Sequence, residues 1–178
     1  MKDADYYFQV GLRNNLNNYP TAVADYSQAI ELDPSHFDAY LKRGTLRYKV
    51  LKQYEEALTD FDKAIELKPD CALAYLHRGI VKCHLLRFDL ALPDFNKAEE
   101  LDPNDERVYY NRGKNKYMLK FDEKEVRKDL EKAIKFGSTA AADMLNLFYG
   151  QDRDSIRDKL EEGMEERKKR WHAAHDPQ

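Results

Sequence analysis

Cysteine is nearly absent from this chain. Its 178 residues hold two, Cys71 and Cys83, and on one helix these would lie roughly 18 Å apart, too far to bridge. Reduced thiols and a cytoplasmic setting follow as expectations. Long apolar runs are missing too. None approaches the roughly 20 residues of a membrane helix, so no membrane span is expected. The first ten residues, MKDADYYFQV, lack the apolar core of a signal peptide. Neither sign of charge prevails: 30 Lys and Arg against 33 Asp and Glu leave a formal net charge of -3. That gives no global drive toward nucleic acid, which rewards a concentrated positive face. No glycine-rich phosphate loop, CxxC pair or nucleophile motif occurs, so the expectation is no enzyme, no catalytic residue and no cofactor.

What the chain does contain is repetition. Prolines fall at Pro34, Pro69 and Pro103, and Arg-Gly pairs at 43–44, 78–79 and 112–113. AYLKRGTLRYKVLKQYEEALTDFDKAIELKP, from Ala39 to Pro69, recurs as AYLHRGIVKCHLLRFDLALPDFNKAEELDP from Ala74 to Pro103. A period near 34 residues decides the architecture, because each unit buries its apolar face only against its neighbours. Four units are expected, at 3–34, 35–69, 70–103 and 104–137. A capping helix at 138–150, a charged helix at 151–173 and a disordered tail at 174–178 complete the plan. Ser35 and Ser138 are candidate N-caps. Pro20 opens a second helix, Pro93 sits inside one, and an extra residue lengthens the turn at 51–53. The best ungapped match puts Val10, rather than Gly11, at the small position of the first unit.

The pattern Y-x-x-R-G, then A-x-x-D-[FY]-x-x-A-[IL]-x-L-x-P, resembles the tetratricopeptide repeat over Asp3 to Gly137. The resemblance implies an all-α fold, a right-handed superhelix of antiparallel helix pairs, A and B, with A helices lining a concave groove. It also implies protein or peptide binding. Tyr40, Tyr75 and Tyr109 read as packing anchors, and Gly44, Gly79 and Gly113 as sites of close helix approach. Arg43, Arg78 and Arg112 recur with Asp25, Asp60 and Asp94 (and Asp129). The expected ion pairs join successive units: Asp25–Arg43, Asp60–Arg78 and Asp94–Arg112.

The groove is read by elimination. On the second A helix, Tyr40, Gly44, Arg47 and Leu51 face helix B, while Ala39, Leu46 and Val50 face a neighbour. Asp38, Leu41, Lys42, Thr45, Tyr48 and Lys49 remain for the groove, with Tyr48 near the boundary. The equivalent strip is Leu73, Leu76, His77, Ile80, Cys83 and His84 in the third unit. In the fourth it is Arg107, Tyr110, Asn111, Lys114, Tyr117 and Met118, and in the first it includes Tyr7. The third A helix is apolar nearly all round, so something should cover it. The ligand expected is a protein segment, apolar in its middle and acidic at its edges, facing a locally basic rim.

Alternatives differ in what fills the groove. In one, this is a structural assembly protein whose charged C-terminal helix, its own or a neighbour's, occupies it and makes a homo-oligomer. Glu161, Glu162, Glu165 and Glu166 would meet the basic rim, and Leu160 and Trp171 the apolar strip. A chaperone-tail adaptor is disfavoured because the clamp that family members use is missing. Its positions fall at about Phe8 and Leu12 (or Tyr7 and Gly11), Lys42, Leu73 and His77, or at Leu41, Thr45, His77, Arg107 and Asn111. No metal site is expected: His77 and His84 stand roughly 10 Å apart, too far for one ion. His172 and His175 lie on a tail, and Asp152-Arg-Asp154 lacks the rest of a calcium loop.

Overall fold

A computed structural model describes residues 2–16 and 18–150, with Glu162, Glu165 and Lys169. The described residues fold into helices and turns, without a strand. The order is α1 (Ala4–Asn14), α2 (Tyr19–Leu32), α3 (Phe37–Leu46) with a π-turn continuing it (Arg47–Leu51), and α4 (Tyr54–Leu67). Next come α5 (Ala72–His84), α6 (Phe88–Leu101), α7 (Glu106–Met118), α8 (Glu123–Lys135) and α9 (Thr139–Tyr149). The charged stretch expected at 151–173, the tail and its histidines fall outside the described residues, apart from Glu162, Glu165 and Lys169, which are helical and exposed.

Local chemistry sets the helix ends. Asp3, Asn18, Asp105, Asp122 and Ser138 accept from backbone N–H groups at the starts of α1, α2, α7, α8 and α9, meeting donors that have no partner inside the helix. The second pair corrects one expectation. Its cap is His36, whose Nδ1 accepts from the Ala39 N–H at 3.3 Å, not Ser35. Ser35 instead donates its own N–H and hydroxyl to Asp33, at 2.9 and 2.6 Å, in the local turn that short polar side chains favour. The extra residue near Leu51 widens the end of α3 into a π-turn, a usual way for a helix to absorb an insertion. The turns then bend through left-handed residues Lys52, Leu86 and Lys120, all near φ 58–59.

The chain divides into two compact units, Met1–Asp94 and Phe95–Gln178, with the boundary inside α6 just after Pro93. In the first, Leu41, Tyr48, Phe61, Ala57, Ala64, Ala74 and Val81 form a core shared by α3, α4 and α5. Leu46 joins Ala22 and Tyr26, tying α3 to α2. In the second, Tyr109, Val126, Leu130, Ile134, Ala141 and Leu145 join α7, α8 and α9. No helix among the described residues is long and apolar enough to cross a membrane.

Candidate functional site

Much of the charge is committed to holding helix pairs together. Asp60 on α4 lies opposite Gly44 on α3, where an added Cβ would fall 3.0 Å from the aspartate Cβ. Arg43, one residue before that glycine, reaches Asp60 at 2.7 Å, and Arg47, three residues after it, also at 2.7 Å. The design recurs: Arg78 and Lys82 hold Asp94 at 2.7 and 2.8 Å, and Arg112 and Lys116 hold Asp129 at 2.8 and 3.0 Å. The expected pairing between successive units, Asp25–Arg43, Asp60–Arg78 and Asp94–Arg112, is therefore corrected. Each arginine meets the carboxylate of its own pair, because the aspartate is pressed against the glycine beside it. The link to the preceding pair comes from the other guanidinium nitrogen, Nη1, to the residue two places after the preceding aspartate. Arg43 reaches Ser27 at 2.9 Å, Arg78 reaches Asp62 at 2.8 Å, and Arg112 reaches Asn96 at 2.9 Å.

Arg112 also donates to Glu99, which takes Lys132 at 3.0 Å as well. Burial alone would lower the Arg112 pKa, but hydrogen bonds to Asp129 and Glu99 outweigh it and raise the value. Partial burial pushes Glu99 up, yet its bonds from Arg112 and Lys132 bring it down to about 2. In the first pair the register is also corrected. Gly11, not Val10, is the buried small residue, since a Cβ there would meet the Tyr26 ring at 2.7 Å. Val10 thus occupies the arginine place, and Asn14 donates to Asp25 at 2.6 Å.

The groove strip of the first unit is mostly closed. Leu41, Tyr48, Leu76 (1% exposed) and His77 are buried, so none of them is a solvent-facing contact residue. The helix face expected to be open is filled by the neighbouring helix. His77 on α5 hydrogen-bonds with the Thr45 hydroxyl of α3 at 3.2 Å, and its ring lies 5.2 Å from Tyr48 and 5.5 Å from Phe61. His84 is exposed but stacks on Tyr54 at 4.8 Å. Lys42 and Lys49 remain exposed, with Tyr7, Thr45, Leu73, Ile80 and Cys83 half-buried.

The second unit is different. Arg107 turns back on Asp105 at 2.6 Å, and Asn111 donates to the Arg107 carbonyl at 2.7 Å. Tyr110, Lys114, Tyr117 and Met118, however, form one wall of an open cleft of about 350 Å³. The other wall is α9: Ala140, Asp143, Met144, Leu147 and Phe148. Leu147 is 78% exposed and Phe148 45%, and the Tyr117 and Phe148 rings meet at 4.6 Å. Sequence reasoning missed this wall by treating α9 only as a cap. The signal was there in Leu145, Leu147, Phe148 and Tyr149, more apolar groups than one helix face can bury. Among the described residues, no group of three or more His, Cys, Asp or Glu is placed to hold a metal.

The sequence profile of the TPR repeat matches residues 13–50 and 47–82. Among solved structures, the MamA RS-1 ArsTM double mutant is 25% identical, covers 75% of each chain and has a TM-score of 0.70. MamA 41-end from Desulfovibrio magneticus RS-1 is 19% identical over 98% of this chain and 97% of its own, with a TM-score of 0.74. The first TPR of Spaghetti (RPAP3), bound to the HSP90 peptide SRMEEVD, is 23% identical over 66% of this chain and 93% of its own, with a TM-score of 0.63. No curated protein sequence matches the chain. The all-α architecture of helix pairs is thus that of a tetratricopeptide-repeat solenoid.

Proposed function

The chain is a tetratricopeptide-repeat protein, and from that premise we propose that it is a non-enzymatic interaction module. It holds a segment of another protein on an outward helix face, and the face best supported for this is that of α7 in the second unit. The observation that carries this reading is the open apolar wall of α7, where exposed Tyr117 and Met118 border a cleft beside half-buried Tyr110. Clefts with apolar walls and a few polar groups are the usual form of a recognition site. On the first unit, exposed Lys42 and Lys49 favour a segment that carries acids beside its apolar residues. The half-buried cysteines Cys71 and Cys83, which form no disulfide with each other, fit a cytoplasmic site of action.

The bound HSP90 peptide of the RPAP3 domain supports peptide binding as a mode for this fold. A charged clamp for a chain terminus is not the mode here: Leu73 and the buried His77 stand at two of its positions. Photo-crosslinking in a cell extract tests the reading, with p-benzoylphenylalanine placed at Lys42, at Tyr117, or at Glu66 on the exposed side of α4. Partner adducts are expected from the first two positions and not from the third. Equal capture at Glu66, or none at Lys42 and Tyr117, overturns it.

A further inference from the structure

The face that α7 and α9 share carries both halves of a contact. Leu147 and Phe148 form the exposed α9 lip of a cleft otherwise lined by Tyr110, Met118 and Met144, with the Phe148 ring against Tyr117. Methionine is well suited to such a lining because its unbranched thioether adapts to an incoming side chain. Two charges of opposite sign flank the apolar centre, Lys114 on α7 and Asp143 on α9, both exposed. Neither makes an ion pair among the described residues. This sets Lys114 apart from Lys116, the next lysine along α7, which is held by Asp129 and Glu125 at 3.0 and 3.4 Å.

From this arrangement we propose that the α7–α9 face binds a second copy of this chain, through a two-fold interface. In such an interface the same patch serves both subunits, so every feature must find its complement on the patch itself. Projecting apolar side chains, a hollow, a cation and an anion meet that demand together. Leu147 of each copy enters the other's cleft, and Lys114 of each faces Asp143 of the other. A uniformly acidic partner would be repelled by Asp143, and a basic one by Lys114. A single face built from two helices lies at the small end of specific interfaces, which bury roughly 800 Å² per partner. The association is therefore reversible and concentration-dependent. The inference rests on the reading that outward helix faces are the binding faces, and it names the occupant of this one.

Sedimentation equilibrium of the full chain across a range of concentrations tests it, with circular dichroism to check that each variant is folded. The wild type is expected to dimerise, and Leu147→Glu to remain monomeric. Lys114→Asp and Asp143→Lys should each weaken the dimer by about tenfold, since like charges then face each other. The double variant Lys114→Asp/Asp143→Lys should recover most of the loss, because the pair is restored with its signs exchanged. A wild type that stays monomeric, a dimer indifferent to Leu147→Glu, or a double variant no better than the singles overturns the proposal. So does a chain that dimerises only after residues 151–178 are removed, since the C-terminal segment would then be the occupant. If self-association fails while crosslinks from Tyr117 still capture a different protein, the interaction-module reading stands and only the choice of occupant falls.

Discussion

The first helix pair and the last are built to one plan with different chemistry. In α7–α8, Asp129 is shut away from water and held by Arg112 and Lys116. In α1–α2 the matching Asp25 is only half-buried and is held by one amide, Asn14, with Val10 in the arginine place. Tyr26 stands where α4 has Phe61, and its fully buried hydroxyl has no hydrogen-bond partner. Burial, then the charge of Asp25, pushes that hydroxyl's pKa up to about 12. The difference separates two jobs. Glycine and the side chain packed on it, Tyr26 in the first pair and Leu130 in the last, set the approach of the helices; the cations balance the aspartate where water is excluded. A carboxylate with solvent beside it needs less.

That comparison breaks most visibly if the clamp is opened. Arg112→Ala leaves Asp129 and Glu99 each with a single lysine, and should cost roughly 3–5 kcal/mol in chemical denaturation. Asn14→Ala should cost only about 1 kcal/mol, the worth of one hydrogen bond; equal losses would mean that burial is not what calls for the cations. Acid probes the same clamp. The pKa of Glu99 is depressed in the folded chain, so its contribution is present above the ordinary carboxylate value and lost as pH falls toward about 2. The melting temperature should therefore decline between about pH 4.3 and 2, less steeply in Glu99→Gln. Tyr26→Phe removes an unpaired buried hydroxyl and should stabilise the chain by about 1 kcal/mol. Smallest of all, Val10→Arg supplies the missing cation beside a half-open carboxylate. A gain of at most about 1 kcal/mol is expected, read as a small rise in melting temperature.

The helix pairs were legible because their signals are local and repeated. Pro34, Pro69 and Pro103 close them, Arg-Gly marks each close approach, and Ala57, Ala64, Ala91 and Ala98 mark the faces that meet. The ion clamp was half legible. The residue types were right, but Asp60 and Arg78 are as well spaced for a bond between units as Asp60 and Arg43 are for one within a unit. Only the placement of Asp60 against Gly44 chooses. Ser35 lost the cap to His36 for a related reason: a neighbouring aspartate competed for its donors.

The candidate site was the least legible part, and the reason is burial. Helical spacing reports which residues share a face, not whether that face meets solvent. Leu76 and His77 share one with Leu73 and Ile80, yet they are buried while the other two are partly open. Tyr110, Lys114 and Tyr117 share the equivalent face on α7 and border a cleft, because α9 reaches that face through Phe148, against Tyr117, and leaves the rest open. By itself the sequence determined an all-α repeat, its period, its turns and the residues that bring paired helices together, since all of these depend on neighbours within one unit. Which carboxylate each arginine grips, and which apolar face stays open, was decided by tertiary structure, because both depend on how closely separate helices approach one another.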